Sequence, residues 1–506
     1  MNPREEAKRG NNDEDNGGIA LVVEEPHDLF SRESVLPKLL RESAGGKKCC
    51  IFKISHKPEN KKYKAAYEPR VVSFGPYHHG KKNLQMIEEH KLRFLKIFMD
   101  EAKRKGVDTN GLIKAVSDLE EDIRDSYSES LYSDGKKLIE MMVLDGCFIL
   151  MIFLVVAGVV SHSEIENDPI FAIPWILPAI RNDLILLENQ VPFFLLQTIF
   201  DRSKIEKSSG LNEIIFHFFN YSLQKSNTFW LKHQKVEANH LLDLIRNIYM
   251  PDVPKEEKKS NHLLDCMMIR KICMPRESKQ ELDVMLKKGK QEVDISMLEE
   301  GIPKSDSLEE EDSTTGRHHL KMVLSARKLQ LKGIKFKPRK KAETLMDIRH
   351  KGKLLQIPPL ILDDFLIAVL LNCVAFEQYY SYCAKQHMTS YVAFMGCLLK
   401  SEADAMFLSE VGILENYFGS GDEVSRFFKV VGKDVLFDID ESYLAGIFEG
   451  VNKYTSSGWH VQWAGFKHTH FDSPWTALSS CAALTLVILT IIQAFFAAYG
   501  YFHPPK

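Results

Sequence analysis

The chain has 506 residues, 44% of them hydrophobic and 27% charged, with a formal net charge of −3. Those are the values of an ordinary globular chain that can build a large core, and they leave no net basic field for nucleic acid. Its nine cysteines are scattered and form no CxxC pair, which argues for reduced thiols in a cytosol and against a secreted disulfide framework.

Met1 to Ser31 is charged and polar, with no apolar h-region. It predicts a disordered tail and no secretory signal. Cys49 to Ile54 is a short apolar stretch of extended or strand type. In Tyr67 to Gly80, Gly75-Pro76 and Gly80 mark turns around Tyr77, His78 and His79. A helix should start near Leu84, because Leu84, Ile87, Phe94, Leu95 and Phe98 share a face. The adjacent histidines, with His90, raise a metal site. No carboxylate or cysteine stands at a recognised ligand spacing, so turn and packing chemistry is preferred.

Met141 to Val160 is strongly apolar, and its uninterrupted run begins after Asp145-Gly146. A run that short, with an acid near its start, favours a buried core helix and leaves a second membrane segment as the alternative. Asp183 to Phe194 sets Glu188, Asn189 and Gln190 in an apolar helical pattern. Pro192 removes a donor and should end or kink the helix, so the three polar side chains are expected to satisfy the freed backbone groups. Acid–base catalysis by Glu188 is the rival reading. His240 to Arg246 continues as helix and stops by Pro251.

Pro275 to Arg317 is rich in Lys, Glu, Ser and Asp and has no aromatic residue, as in a solvated, largely disordered insertion. Beyond it, Ser325–Leu329 reads as helix and Gly333–Lys337 as strand. Leu345–Arg349 and Lys353–Pro358 could pair across His350–Gly352. Asp363 and Asp364 precede the helical run Phe365–Tyr380, where capping is preferred over acid–base or metal chemistry. Glu377-Gln378 lies ~20 Å further along that helix, too far to join the pair. Leu408 to Phe428, which includes Gly412, follows, and further helices lead to Trp459 and Trp463.

Ser473 to Phe502 carries no charge. Leu478 to Gly500 alone makes about 34 Å of helix, enough for a hydrocarbon core of roughly 30 Å. Trp475 at one end and Tyr499, Tyr501 and Phe502 at the other suit the two interfaces. Ser479, Thr485, Thr490 and Gln493 are tolerable there, since hydroxyls bond back to the helix and an amide can face a partner helix. With no entry signal ahead of it, this helix is expected to be a single-pass tail anchor. The bulk of the chain then lies in the cytosol, with the plasma membrane favoured.

Taken in order, these segments resemble a plant family called domain of unknown function 247. The matching pieces are Cys49–Ile54, Val-Ser-Phe-Gly-Pro-Tyr-His-His-Gly ending at Gly80, Val143–Leu150, Leu-Glu-Asn-Gln-Val-Pro-Phe-Phe ending at Phe194, His240–Arg246 and Gly333–Phe336. Ile357-Pro358-Pro359-Leu360 with Asp363-Asp364, Ala375-Phe376-Glu377-Gln378 and Gly412–Gly419 complete the series. The resemblance covers Cys49 to Trp475, and the terminal helix is similar to that family's usual ending. The chain departs from the pattern at Met151, where relatives carry an acid, at Leu366-Ile367, where they carry Thr-Glu, and at Leu371, where they carry Arg. The resemblance implies a mainly helical domain on a membrane and no established reaction. Some members are linked to self-recognition in grass pollen, which favours an interaction role.

The expected fold is therefore mainly α: one large multi-helix domain over residues 45–472 with a small β hairpin or sheet, and a transmembrane helix over 475–502. The expected function is a membrane-anchored interaction, recognition or signalling component that is not an enzyme. Its partners would be membrane lipid, through the C-terminal helix, and a protein not identified by the sequence. No nucleic acid, small-molecule ligand, cofactor or metal is expected. The motif residues Gly75, Pro76, Tyr77, His78, His79, Gly80, Asp145, Gly146, Glu188, Asn189, Gln190, Pro192, Pro358, Asp363, Asp364, Phe376, Glu377, Gln378 and Gly412 are expected to be structural. The alternative is a metal-assisted or acid–base hydrolase built from His78, His79, His90, Glu188, Asp363 and Asp364, although no P-loop, GxSxG, HExxH or dinucleotide fingerprint is present.

Overall fold

The computed structural model describes residues 41–55, 61–131, 134–161, 165, 167–206, 208–250, 322–380, 382, 386–417, 419–432, 435, 438–456 and 474–502. The expected N-terminal tail, the Pro275–Arg317 insertion, Trp459 and Trp463 lie outside the described residues. The first group of principal helices is α1 (Glu88–Arg104), α2 (Thr109–Ser117), α3 (Gly135–Val156), α4 (Ile176–Asp183), α5 (Phe193–Ser203), α6 (Leu211–Leu223) and α7 (Leu241–Tyr249). Five short strands follow or interleave with the rest: β1 (Lys335–Pro338), β2 (Arg349–Lys351), β3 (Leu354–Ile357), β4 (Leu360–Leu362) and β5 (Leu414–Asn416). The remaining helices are α8 (Asp364–Tyr379), α9 (His387–Leu398), α10 (Glu402–Glu410), α11 (Gly421–Val431), α12 (Ala445–Ser456) and α13 (Pro474–Phe502).

The first half is wrapped around α3. Asp134 caps this helix by accepting the amides of Lys136 and Lys137, and a run from Leu138 to Leu154 is buried on nearly every side. α1, α5 and α6 pack on it. α1 brings Phe94, Ile97 and Phe98 to the interface, with Glu88 and Glu89 in its first turn and Lys103 and Arg104 in its last, matching the helix dipole. Gly146 lets α5 approach closely: a Cβ there would lie 2.5 Å from Cδ1 of Ile199.

The second half is built on α8, buried from Phe365 to Glu377 and flanked by α7 and α9. The expected hairpin is present, with β2 antiparallel to β3 around Gly352. Its first strand starts at Arg349, because Leu345–Ile348 is a buried bend tied down by Asp347, which accepts from Arg339 Nε at 2.8 Å. β1 adds to β3 in parallel, and β4 pairs in parallel with β5. The strand after Gly412, which turns at φ +74°, had no forerunner in the sequence pattern.

Among the described residues, two helices are long and apolar enough to cross a membrane, and their surroundings differ. The most apolar window of α3 is 78% buried by protein, whereas that of α13, Leu478–Phe496, is 0% buried.

Candidate functional site

Most of the motif stretches meet in one buried polar knot. Its frame is the extended segment 70–75 and the loop 184–192, neither of which lies in a regular helix or sheet. Their amides and carbonyls therefore need side-chain partners. The Asp183 carboxylate accepts the N–H groups of Arg70, Val71 and Val72 at 2.9, 2.8 and 3.0 Å. Asn189 accepts from the Phe74 amide at 2.8 Å and donates to the carbonyls of Val72 and Asp183 at 3.1 and 2.9 Å. Gln190 donates to the carbonyls of Leu184 and Leu186 at 2.7 and 2.9 Å and accepts from the Leu242 amide. Glu188 accepts from the Ile54 amide at 2.7 Å. From α8, Asn372 accepts the Leu187 amide and donates to Ala66 and Ala368, each at 2.9 Å.

This corrects the expected role of Pro192. The helix ends nine residues earlier, at Asp183, and Pro192 is the residue before α5. Glu188, Asn189 and Gln190 bond backbone groups of their own loop, of segments 54 and 72–74, and of α7. The stretch reads as helical because its residues are apolar, but those bonds hold it in a different course.

Below the knot lies a buried ion pair. Lys91 Nζ, fully buried on α1, is 2.7 Å from Asp145 Oδ1 on α3, 2.6 Å from the Ser73 carbonyl and 2.8 Å from Glu88 Oε1. The other oxygen of Asp145 accepts the Gly75 amide at 2.8 Å. Gly75 sits at φ +68°, and a Cβ there would fall 2.6 Å from the Gln190 carbonyl oxygen and 2.8 Å from the Tyr127 hydroxyl. Only glycine fits both constraints. Burial pushes the Asp145 carboxyl up, with Lys91 opposing. Burial also pushes Asp183 up to about 6, against its three amide donors.

A second buried group joins α7, α8 and α9. Arg246 Nε donates to Glu377 Oε1 at 2.8 Å, and Glu377 accepts the amides of Met388 and Thr389 at the start of α9. His240 precedes α7, with Nδ1 accepting the Asp243 amide and Nε2–H donating to the Cys50 carbonyl. Its ring meets Phe376 edge-on at 4.8 Å. Burial lowers the His240 pKa to about 4.

The groups named for a hydrolase are only partly gathered. His78 and Glu188 are both buried, with Nε2 3.2 Å from Oε2. Despite that distance, His78 Nε2 makes no hydrogen bond. Lys81 stands 2.7 Å from the other ring nitrogen. His79 and Gly80 are exposed in the turn. His90 is paired elsewhere, with Asp168 at 3.1 Å beside Arg93. Asp363 caps α8 through the Leu366 amide at 2.8 Å, and Asp364 is exposed. Among the described residues, no group of three or more His, Cys, Asp or Glu could hold a metal ion. Tyr77 binds Ser128 and the Ile51 carbonyl, Pro76 and Pro358 are buried, and Gln378 is half-buried.

Sequence reasoning missed Lys91, Asp183 and Asn372 as members of the network. Lys91 had a signal: it falls four residues after Ile87 and three before Phe94, in the apolar stripe itself. A cleft of about 250 Å3 opens beside the knot, where Glu68, Arg70, Asn182 and Asp364 line it together with Asp183.

Two comparisons with known proteins place the chain. A family model described as plant protein of unknown function, DUF247, matches residues 51–489. The UPF0481 protein At3g47200 of Arabidopsis thaliana is 47% identical over 483 residues, covering 95% of this chain and 92% of that protein. A second UPF0481 protein of the same plant, At3g02645, is 22% identical over 486 residues, covering 86% and 88%. No solved structure matches.

Proposed function

The chain belongs to the DUF247 family of plant proteins of unknown function, and from that premise we propose that it is a membrane-anchored interaction protein without catalytic activity of its own. The observation that carries this reading is the bare apolar surface of α13, where Leu478, Leu484, Ile491, Phe495 and Phe496 are all more than 60% exposed. A helix of that composition left in water would aggregate; in hydrocarbon it has its natural solvent. The Leu478–Phe496 stretch is ~28 Å long, close to the core of a bilayer. Two of its hydroxyls are satisfied within the helix: Thr485 and Thr490 donate to the carbonyls of Cys481 and Leu486 at 2.8 and 2.7 Å.

The buried motif groups support the non-catalytic half of the reading. Asp183, Asn189, Gln190, Asn372 and Glu377 already bond backbone groups, so they serve to fix the chain's course. Partner contacts then fall to the outer surface of the helical body and to the Pro275–Arg317 insertion, with the body on the cytosolic side of the plasma membrane. The test is protease protection of an N-terminally tagged chain in sealed vesicles of known orientation. Digestion of the tag from the cytosolic side, with the C-terminal piece left in the membrane, is the expected result. A tag protected until detergent is added would overturn the orientation and with it the cytosolic partner.

A further inference from the structure

We propose that the outer face of the sheet formed by β1, β3 and β2 docks on the anionic lipid headgroups of the leaflet from which α13 enters the bilayer; the inference deepens the membrane reading and rests on it. Residues 332–353 hold nine Lys and Arg against two acids, Glu343 and Asp347, in a chain of net charge −3. Strand pairing gathers these charges. Residues opposite each other in a sheet share a face, as do alternate residues along a strand. The register sets Lys335, Leu354 and Lys351 in one row and Lys337, Gln356 and Arg349 in the next. Lys335, Lys337, Arg349 and Lys351 are exposed, and so is Lys353 in the hairpin turn. The opposite face is the packed one. Leu355 is fully buried there, Phe336 meets Phe407 of α10 edge-on at 5.4 Å, and His350 lies against Gly450 of α12. Asp347 pairs with Arg339 and Arg349, and Glu343 with Lys232. Among the described residues, Lys335, Lys337, Lys351 and Lys353 have no carboxylate partner.

The geometry favours a charged surface over a single anion. Alternate lysines stand roughly 7 Å apart along a strand, and β1 and β2 roughly 10 Å apart across the sheet. Separate headgroups can answer charges so spread, whereas one phosphate cannot. Four of the five are lysines, point charges that suit a diffuse anionic layer better than a bidentate site. A single-stranded nucleic acid would want aromatic platforms for its bases, and Phe336 is turned inward. The chain's own course places the face near the bilayer. Lys332, just before β1, donates to the Thr455 carbonyl at 3.3 Å near the end of α12, and residues 457–473 join α12 to α13. The link to the anchor thus leaves the body beside this sheet, and tethering raises the local concentration of face and leaflet. A cytosolic leaflet is anionic, and each Lys or Arg near it strengthens binding about fivefold.

The test is amine-reactive footprinting of the full chain in nanodiscs of phosphatidylcholine alone and of phosphatidylcholine with phosphatidylserine. In the anionic discs Lys335, Lys337, Lys351 and Lys353 should label at least about fivefold more slowly than in the neutral ones. The exposed Lys105 and Lys114 of the first half should label alike in both, and about 1 M salt should abolish the difference. In Lys335→Glu/Lys351→Glu, which changes two exposed side chains, Lys337 and Lys353 should label alike in both discs. Equal labelling of the four wild-type lysines in neutral and anionic discs overturns the proposal. So does protection by added polyglutamate or RNA in neutral discs without protection by phosphatidylserine, which assigns the face to a soluble polyanion. The anchor is read separately, by co-elution of the chain with neutral discs at about 1 M salt, where surface charge is screened. A chain that co-elutes but shows no footprint sinks the docking and leaves the anchor standing. A chain lost from neutral discs overturns the anchor, and with it the tether on which the docking rests.

Discussion

Lys91 and Asp145 form an ion pair with both members out of water, so the pair is tolerable only while it is complete. Asp145→Ala strands the ammonium beside Glu88 and takes the acceptor from the Gly75 amide. The expected loss of stability is about 3–5 kcal/mol, measured by denaturant unfolding of the full chain in detergent micelles. The Lys91→Met/Asp145→Leu double variant should recover a large part of that loss; a double variant no better than Asp145→Ala would show that the pair's bonds to Ser73 and Gly75 matter more than its charges. His240 makes a pH prediction. Its Nδ1 must stay unprotonated to accept the Asp243 amide, so protonation breaks the cap. The folded pKa of about 4 lies below the ordinary 6.5. A depressed folded value means the contribution is complete above pH 6.5 and is lost as pH falls through about 4. At ~1.36 kcal/mol per pH unit the full loss is about 3 kcal/mol. His240→Asn, which can still cap, should flatten this part of the stability profile between pH 6.5 and 4; an unchanged slope would contradict the assignment. At this scale the sequence showed which motif residues stood out but not their partners. Lys91 interrupts an apolar stripe and was visible in principle. Asn372 and Asp183 were not, since their bonds reach segments more than a hundred positions away.

Among the elements, α3 and α13 are the informative contrast. Both pass a test of length and apolarity, and their burial in the tertiary structure separates them. The sequence did favour α3 as core, from the short run after Asp145-Gly146. Gly146 adds a reason that only packing reveals, since it seats Ile199 of α5 against the helix. Gly146→Val should therefore overpack this contact and cost about 1–3 kcal/mol; an unfolding midpoint equal to wild type would mean α5 has room to retreat. A bilayer-confined photoreactive label should modify α13 and leave α3 unmarked, and labelling of both would return α3 to the membrane. The loop between α4 and α5 shows why element boundaries failed where they did. Apolar periodicity there reports burial, and burial is correct. The hydrogen bonds that make it a loop come from side chains and remote backbone, which periodicity does not register.

For the whole molecule, the class was legible because class depends on patterns summed over many residues: a mainly helical body, a small sheet after residue 330, and one bare apolar helix at the end. What binds the body was not legible, because partner surfaces carry no periodicity. The central claim is that α13 integrates the chain into a bilayer. It is tested most directly by alkaline carbonate extraction of membranes from plant cells expressing the full chain or its Leu486→Lys/Ile491→Lys variant. Each lysine near the middle of a spanning helix opposes insertion by ~2.5–3.5 kcal/mol. The wild-type chain should remain with the membrane pellet and the variant should be released. Release of the wild-type chain along with peripheral proteins would contradict the anchor.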